Sequence, residues 1–158
     1  MITVTPAVIA IAGQPVETRR TEPPAPPAPT TRLAVQRGVL KACEAAAAPF
    51  NARVFDHVDF NRDFPFVALD NHQTLENDGA DILGFTHNFF LSVWSDYRGK
   101  KEVEEIMDAI WRAVHERRLP LENGVHVLCR VGEMSADRDA DGVTYQGTMA
   151  LRIISNPF

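Results

Sequence analysis

The run Phe85-Thr86-His87-Asn88-Phe89-Phe90-Leu91-Ser92-Val93-Trp94-Ser95, continuing through Asp96-Tyr97-Arg98-Gly99 to Val103, Ile106, Met107, Ile110, Trp111 and Val114, decides how this chain folds. Phe85, His87, Phe89, Leu91 and Val93 fall at every second position, with Thr86, Asn88 and Ser92 between them, the pattern of a half-buried strand. Past the polar turn the apolar residues recur at helical steps, so one face of a helix is apolar. Strand, tight turn and amphipathic helix form one packing unit.

Working outward from that unit, Leu33, Gln36, Val39, Leu40, Cys43 and Ala47 give an earlier helix over Arg32 to Ala48, with Thr31 in the capping position and Pro49 as the stop. Arg53-Val54-Phe55 reads as a short strand, Asp56 to Asp63 as a polar loop, and Phe64 to Leu69 as a second strand. Glu76-Asn77-Asp78-Gly79-Ala80-Asp81 has nothing apolar to bury and reads as an exposed loop. After the second helix, Leu119 to Gly124 turns the chain back. Val125, Val127, Cys129 and Val131 then alternate with His126, Leu128 and Arg130, and Val143, Tyr145, Met149, Leu151 and Ile153 share one face of a last strand. These two strands pair as a hairpin across Asp137 to Gly142. The order α-β-β-β-α-β-β predicts an α+β domain, a mostly antiparallel sheet of about five strands with two helices packed on one face.

The chain has 158 residues, 45% of them hydrophobic, enough for one domain with a real core. Residues 1–31 differ in character: Ile2, Val4, Val8 and Ile11 suit a short strand or a docking arm, and Glu22 to Pro29 is a proline-rich linker that forms neither helix nor sheet. The division is therefore an arm and linker over 1–31 and the α+β domain over 32–158. A net charge of -5 without a basic cluster excludes a protein whose main task is gripping nucleic acid. Cys43 and Cys129 belong to no Cys-x-x-Cys pair and read as small core residues in a reducing compartment. No run approaches the roughly 18 apolar residues of a membrane span, so the expectation is a protein made in the cytosol with no membrane partner.

Three stretches carry residue types suited to chemistry. Asp137-x-Asp139-x-Asp141-Gly142 matches the opening of a calcium loop, but Thr148 stands where a closing glutamate belongs and the flanks read as strands, so an acidic hairpin tip is the simpler reading. His57 with Asp56 and Asp59 invites a metal or acid–base reading, but three such residues within four positions of a loop are common by chance, and a solvated loop or a subunit contact is the simpler reading. His87 sits on the apolar side of its strand, where a hydrogen-bonded core histidine is the commoner outcome, and His72, His115 and His126 form no ligand spacing with it. Nucleophile elbows and phosphate-binding glycine loops are absent from the sequence. No catalytic, cofactor or metal residue is assigned.

Phe89-Phe90-Leu91-Ser92-Val93-Trp94-Ser95, running through Arg98-Gly99-Lys100-Lys101-Glu102 into the helix, resembles the central block of a phage tail-completion family. That set, partly known as a domain of unknown function, includes tail terminators of long-tailed phages and of gene transfer agents. The likeness covers Arg32 to Ile154, taking in Arg53 to Val58, Phe64 to Val67 and Gly147 to Arg152, with a longer start than the family usually shows. It implies a structural virion protein, not an enzyme: a hexameric ring that caps the tail tube, stops its polymerisation and meets the head connector, with DNA only as passing cargo. It also implies a place at the head-proximal end of the tail, after assembly in the host bacterial cytoplasm. A head-tail joining or neck protein is the alternative, and a small metal-dependent hydrolase using His57 is a distant third. The family supplies no contact residues, so exposure alone nominates Asp56, His57, Asp59 and Arg62 in one loop, Glu76, Asp78 and Asp81 in a second, and Asp96, Arg98, Lys100 and Lys101 in the turn before the second helix.

Overall fold

Helix α1 (Arg32–Ala47) is built from strong helix formers and turns the stripe Val35, Val39, Cys43 and Ala47 inward. Gly38 belongs to the buried side as well, because an added Cβ there would lie 2.5 Å from Leu121 Cδ2. This stripe corrects the expected one: Leu33 is 58% exposed, since steps of four from Val35 fill the interior and leave Leu33 on the flank. A 3-10 turn, Ala48–Phe50, follows at Pro49, and Asn51 ends it in the left-handed region at φ 60°. The computed structural model describes residues 31–59, 61–77, 84–121 and 127–155. The expected arm, linker and Asp78 to Asp81 therefore lie outside the described residues, apart from Thr31.

The remaining elements are β1 (Arg53–Phe55), β2 (Phe66–Glu76), β3 (Phe85–Ser95), α2 (Lys101–Val114), β4 (Val127–Arg138) and β5 (Tyr145–Ser155). The sheet has five strands in the order β1-β2-β3-β5-β4, with β1 parallel to β2 and the other neighbours antiparallel. Both helices pack on one face. Val103, Ile106, Met107, Ile110 and Val114 of α2 are fully buried there with Phe89, Leu91, Met149, Leu151 and Ile153 of the two central strands. Trp111 departs from the expected core stripe: it lies at its margin, 39% exposed, stacked on His115. Cys43 and Cys129 are buried and unpaired, and burial pushes both thiols up to about 12, so they act as small core residues.

Register explains where alternation misleads. A β-bulge at Asp70 shifts the pairing between Leu69 and Asn71. Odd residues Val67 and Leu69 share the helix-side face with Val93 and Leu91, whereas after the bulge even residues His72 and Thr74 do so, opposite Phe89 and His87. The second strand thus runs well beyond the expected Leu69. Another bulge between Val131 and Met134 carries β4 on to Arg138, so the hairpin turn starts at Asp139. Val143, expected on the inner face, lies in that turn and is exposed.

Thr31 does not cap α1 through its side chain. Its hydroxyl instead lies 3.1 Å from His87 Nε2 and 2.6 Å from Ser155 Oγ, while Ser155 Oγ is 2.9 Å from the same ring nitrogen. The other nitrogen, His87 Nδ1, is 3.0 Å from His72 Nε2 and 3.1 Å from Thr74 Oγ1. Arg32 then donates to the Thr74 hydroxyl at 2.9 Å and to the His72 carbonyl at 2.5 Å. Burial, and next the Arg32 guanidinium, lower both histidines to about 4.

Two consequences are measurable. Between pH 6.5 and about 4 the unfolded chain binds protons that the folded imidazoles refuse, so the stability from this cluster is full above pH 6.5 and is lost as pH falls toward 4. The loss should be on the order of 2 kcal/mol, mostly from His87 because solvent reaches part of His72. Urea unfolding at pH 7 and 4.5 measures it, and equal midpoints would contradict a buried neutral pair. Separately, a Cβ on Gly147 would lie 2.5 Å from Val103 Cγ1 and 2.6 Å from Met107 Sδ. Gly147→Ala should therefore cost about 1–3 kcal/mol in the same assay by prising α2 from β5.

Candidate functional site

Both helices lie on one side, and no helix among the described residues covers the other face of the sheet, called the bare face below. Register places its side chains in rows across β2, β3, β5 and β4. One end carries Leu75, Thr86, Ile154 and Leu128, then Gln73, Asn88, Arg152 and Arg130; the other end carries Ala68, Ser92, Thr148 and Ser135, then Phe66, Trp94, Gln146 and Asp137. Leu75, Phe90, Leu128 and Ile154 are exposed on this face.

The Trp94 end deepens into a groove of about 790 Å³ between the loop after β1 and the β4–β5 turn. Its floor is Phe64, Phe66, Ala68 and Trp94, with Phe66 stacked on Trp94 at 6.2 Å and tilted against Phe64 at 5.4 Å. Asp59, Asp70, Asp139 and Asp141 rim it, and Arg62 is the one cation among the described residues that line it. The Arg62 guanidinium covers the Phe55 ring at 4.0 Å and donates to Asp59 at 2.8 Å, leaving its buried Nε without an acceptor among the described residues. Trp94 Nε1 donates to Ser92 Oγ at 3.0 Å, and Ser92 donates in turn to Asp70 Oδ1 at 3.0 Å. Asp70 is exposed as a residue, yet partial desolvation of its carboxyl raises it above the usual range, opposed by the Ser92 hydrogen bond.

Asp141 shows what the would-be calcium loop does. Its Oδ1 accepts from the Val143 and Thr144 amides at 2.8 Å each, and its Oδ2 accepts the Thr144 hydroxyl at 2.6 Å, which holds its carboxyl below the ordinary range. Gly142 supplies the left-handed step at φ 74°. The aspartate therefore builds the hairpin tip. Among the described residues no three His, Cys, Asp or Glu side chains are grouped to hold a metal ion.

The nominated residues fall in separate places. Asp56, His57, Asp59 and Arg62 share the loop after β1, where His57 Nε2 lies 3.3 Å from Asp59 and both side chains are largely in solvent. Glu76 ends β2, exposed, and Asp78 and Asp81 lie outside the described residues. Asp96, Arg98, Lys100 and Lys101 form or follow the turn after β3. There the Ser95 hydroxyl accepts the Tyr97 amide at 3.0 Å, Gly99 takes φ 80°, and Lys100 donates to the Ala136 carbonyl at 2.8 Å. The loop after β1 meets the groove through Asp59 and Arg62, and the other sets do not line it. Sequence reading missed the groove's Asp70, Trp94, Phe64 and Phe66. It also missed His72, because only the bulge turns that residue toward His87.

Comparison with known proteins fits this architecture. Residues 35–155 match the model of the family described as tail completion protein gp17, a span running from α1 to the last residue of β5. A chain from a solved structure, the virion of a native gene transfer agent (GTA) particle, shares the fold with a TM-score of 0.64 at 20% identity, covering 79% of this chain and 93% of that one. No curated protein matches the sequence. Since the family model takes in nearly the whole described domain, this chain belongs to the tail completion protein gp17 family.

Proposed function

We propose that this protein is a tail terminator. Its subunits close into a hexameric ring on the last ring of the tail tube, stop polymerisation at the set length and present the surface that meets the head connector. The observation that carries this reading is the family match over residues 35–155. The sheet face that no helix among the described residues covers, with Leu75, Phe90, Leu128 and Ile154 exposed on it, is available for such contacts. The mechanism is capping by shape and charge complementarity without turnover, and the protein is not an enzyme. DNA passes through the lumen as cargo, and the ring sits at the head-proximal end of the tail.

In this reading the loop at Asp56, His57, Asp59 and Arg62, the connection at Glu76, Asp78 and Asp81, and the turn at Asp96, Arg98, Lys100 and Lys101 supply contacts to neighbouring subunits or to the tube. Residues 1–31 form an arm and spacer outside the ring-forming domain of residues 32–158.

Electron microscopy of particles from a producer strain lacking this gene tests the reading. Filled heads beside detached tails of uncontrolled length are expected. Detached tails of normal length would assign the protein to head-tail joining instead, and normal particles would overturn an assembly role. As a second test, His57→Ala should leave the titre of infectious particles within about twofold of wild type, because one exposed imidazole in a contact shared with Asp56, Asp59 and Arg62 adds little beyond a weak surface pair. Loss of titre with the ring correctly assembled and seated on the tail would revive a hydrolytic role for His57.

A further inference from the structure

The groove on the bare face and the turn before α2 have complementary chemistry. The groove offers an aromatic floor under four carboxylates, and its one guanidinium, Arg62, is already tied to Asp59. The turn offers the reverse. Tyr97 is 51% exposed, and over residues 96–101 three cations, Arg98, Lys100 and Lys101, stand against one carboxylate, Asp96, with Glu102 and Glu105 following on the helix side. Lys100 is tied to the Ala136 carbonyl and Lys101 lies 3.9 Å from Glu105, whereas Arg98 is exposed with no partner among the described residues. The turn is also stiff, since Ser95 Oγ holds the Tyr97 amide and Lys100 pins the far side to β4.

Placement decides between a contact within one subunit and a contact between copies. Trp94 points to the bare face and lines the groove, while Ser95 points to the helix side and is fully buried. Tyr97 borders a shallow cleft with Phe50, Lys101, Glu102 and Glu105, in the helix layer. Knob and groove thus lie on opposite faces of a two-layer domain, at the same end of β3. A subunit cannot fill its own groove with this turn, but a neighbour related by rotation about an axis along the strands can. We infer that the Tyr97–Arg98 turn of one subunit docks into the Trp94 groove of a second copy of this chain, with Arg98 among Asp70, Asp139 and Asp141 and the Tyr97 ring on the aromatic floor. Such a contact is heterologous, so it closes into a ring when the rotation between neighbours closes.

This inference rests on the ring reading and names its seam. Asp139 is the groove residue to change, because its side chain makes no hydrogen bond within the hairpin, unlike Asp141. Sedimentation of the full chain, wild type beside Arg98→Glu and Asp139→Lys, measures the particle mass against the 17.6 kDa of one chain. Arg98→Glu, which faces three carboxylates, should weaken association about a hundredfold, and Asp139→Lys, which leaves Asp70 and Asp141 in place, about tenfold, with thermal melting unchanged. The two variants mixed should associate more strongly than the mean of the two alone, since alternating subunits pair the introduced glutamate with the introduced lysine at one seam and leave the next seam unaltered. Assembly of Arg98→Glu at wild-type strength would overturn the inference, as would a mixture no stronger than that mean. Failure of the wild type to assemble both alone and on isolated tail tubes would instead overturn the ring reading itself.

Discussion

Thr31, His87 and Ser155 meet in a buried triangle of hydrogen bonds, and this contact ties together the parts of the fold that are farthest apart in sequence. It joins the residue before α1, the start of the central strand β3 and the last residue of β5. Each of the three is a polar group with less than a tenth of its surface exposed, so an unpaired hydroxyl or ring nitrogen there would cost about 1–3 kcal/mol. The cluster therefore favours one docking of α1 over the neighbouring turns that a purely apolar helix face would also tolerate. It also needs a neutral His87, which the adjacent Arg32 guanidinium and burial both enforce.

From that anchor the layering follows. Helix α2 carries the chain from the end of β3 to the far edge, where β4 forms, and β5 returns into the gap between them. The last strand is thus central, paired on both sides along its length. Gly147 lets α2 approach β5 closely at the point where any side chain would meet Val103 and Met107. Both helices are consumed in covering one face. No element among the described residues is left for the other face, which keeps Phe90, Leu75, Leu128 and Ile154 in solvent and exposes the Trp94 groove.

Local periodicity made much of this legible. The alternation of Phe85 to Val93 and the helical spacing of Val103 to Val114 gave β3 and α2, and the five-stranded α+β order followed from them. What stayed hidden depends on single extra residues and on long-range register. The bulge at Asp70 reverses which residues of β2 face the helices, so counting every second position from Phe66 sends His72 to the wrong side. The phase of α1 was misread because Leu33 looks as apolar as Val35, and only the packed partner distinguishes them. The groove is assembled from β2, β3, the loop after β1 and the β4–β5 turn, which share no local motif. Asp141 was visible as an acidic tip, but its three inward hydrogen bonds were not.

The electrostatics of the bare face then constrain how such a domain associates. Its groove end is acidic, while Arg130 and Arg152 stand directly opposite each other across β4 and β5 near the other end. Like charges in register on an open sheet weaken the pair that bears them, and Glu116 offsets only part of this by accepting from Arg130 at 3.2 Å. A surface polarised in this way rejects a copy of itself stacked in the same orientation and accepts partners of opposite local charge. In a closed ring each subunit would use such a contact twice, once with each neighbour, and the last contact would form within a body already assembled, at high effective concentration. Modest individual contacts would then suffice for a stable cap, which fits a face built from scattered apolar and charged side chains instead of one continuous apolar patch.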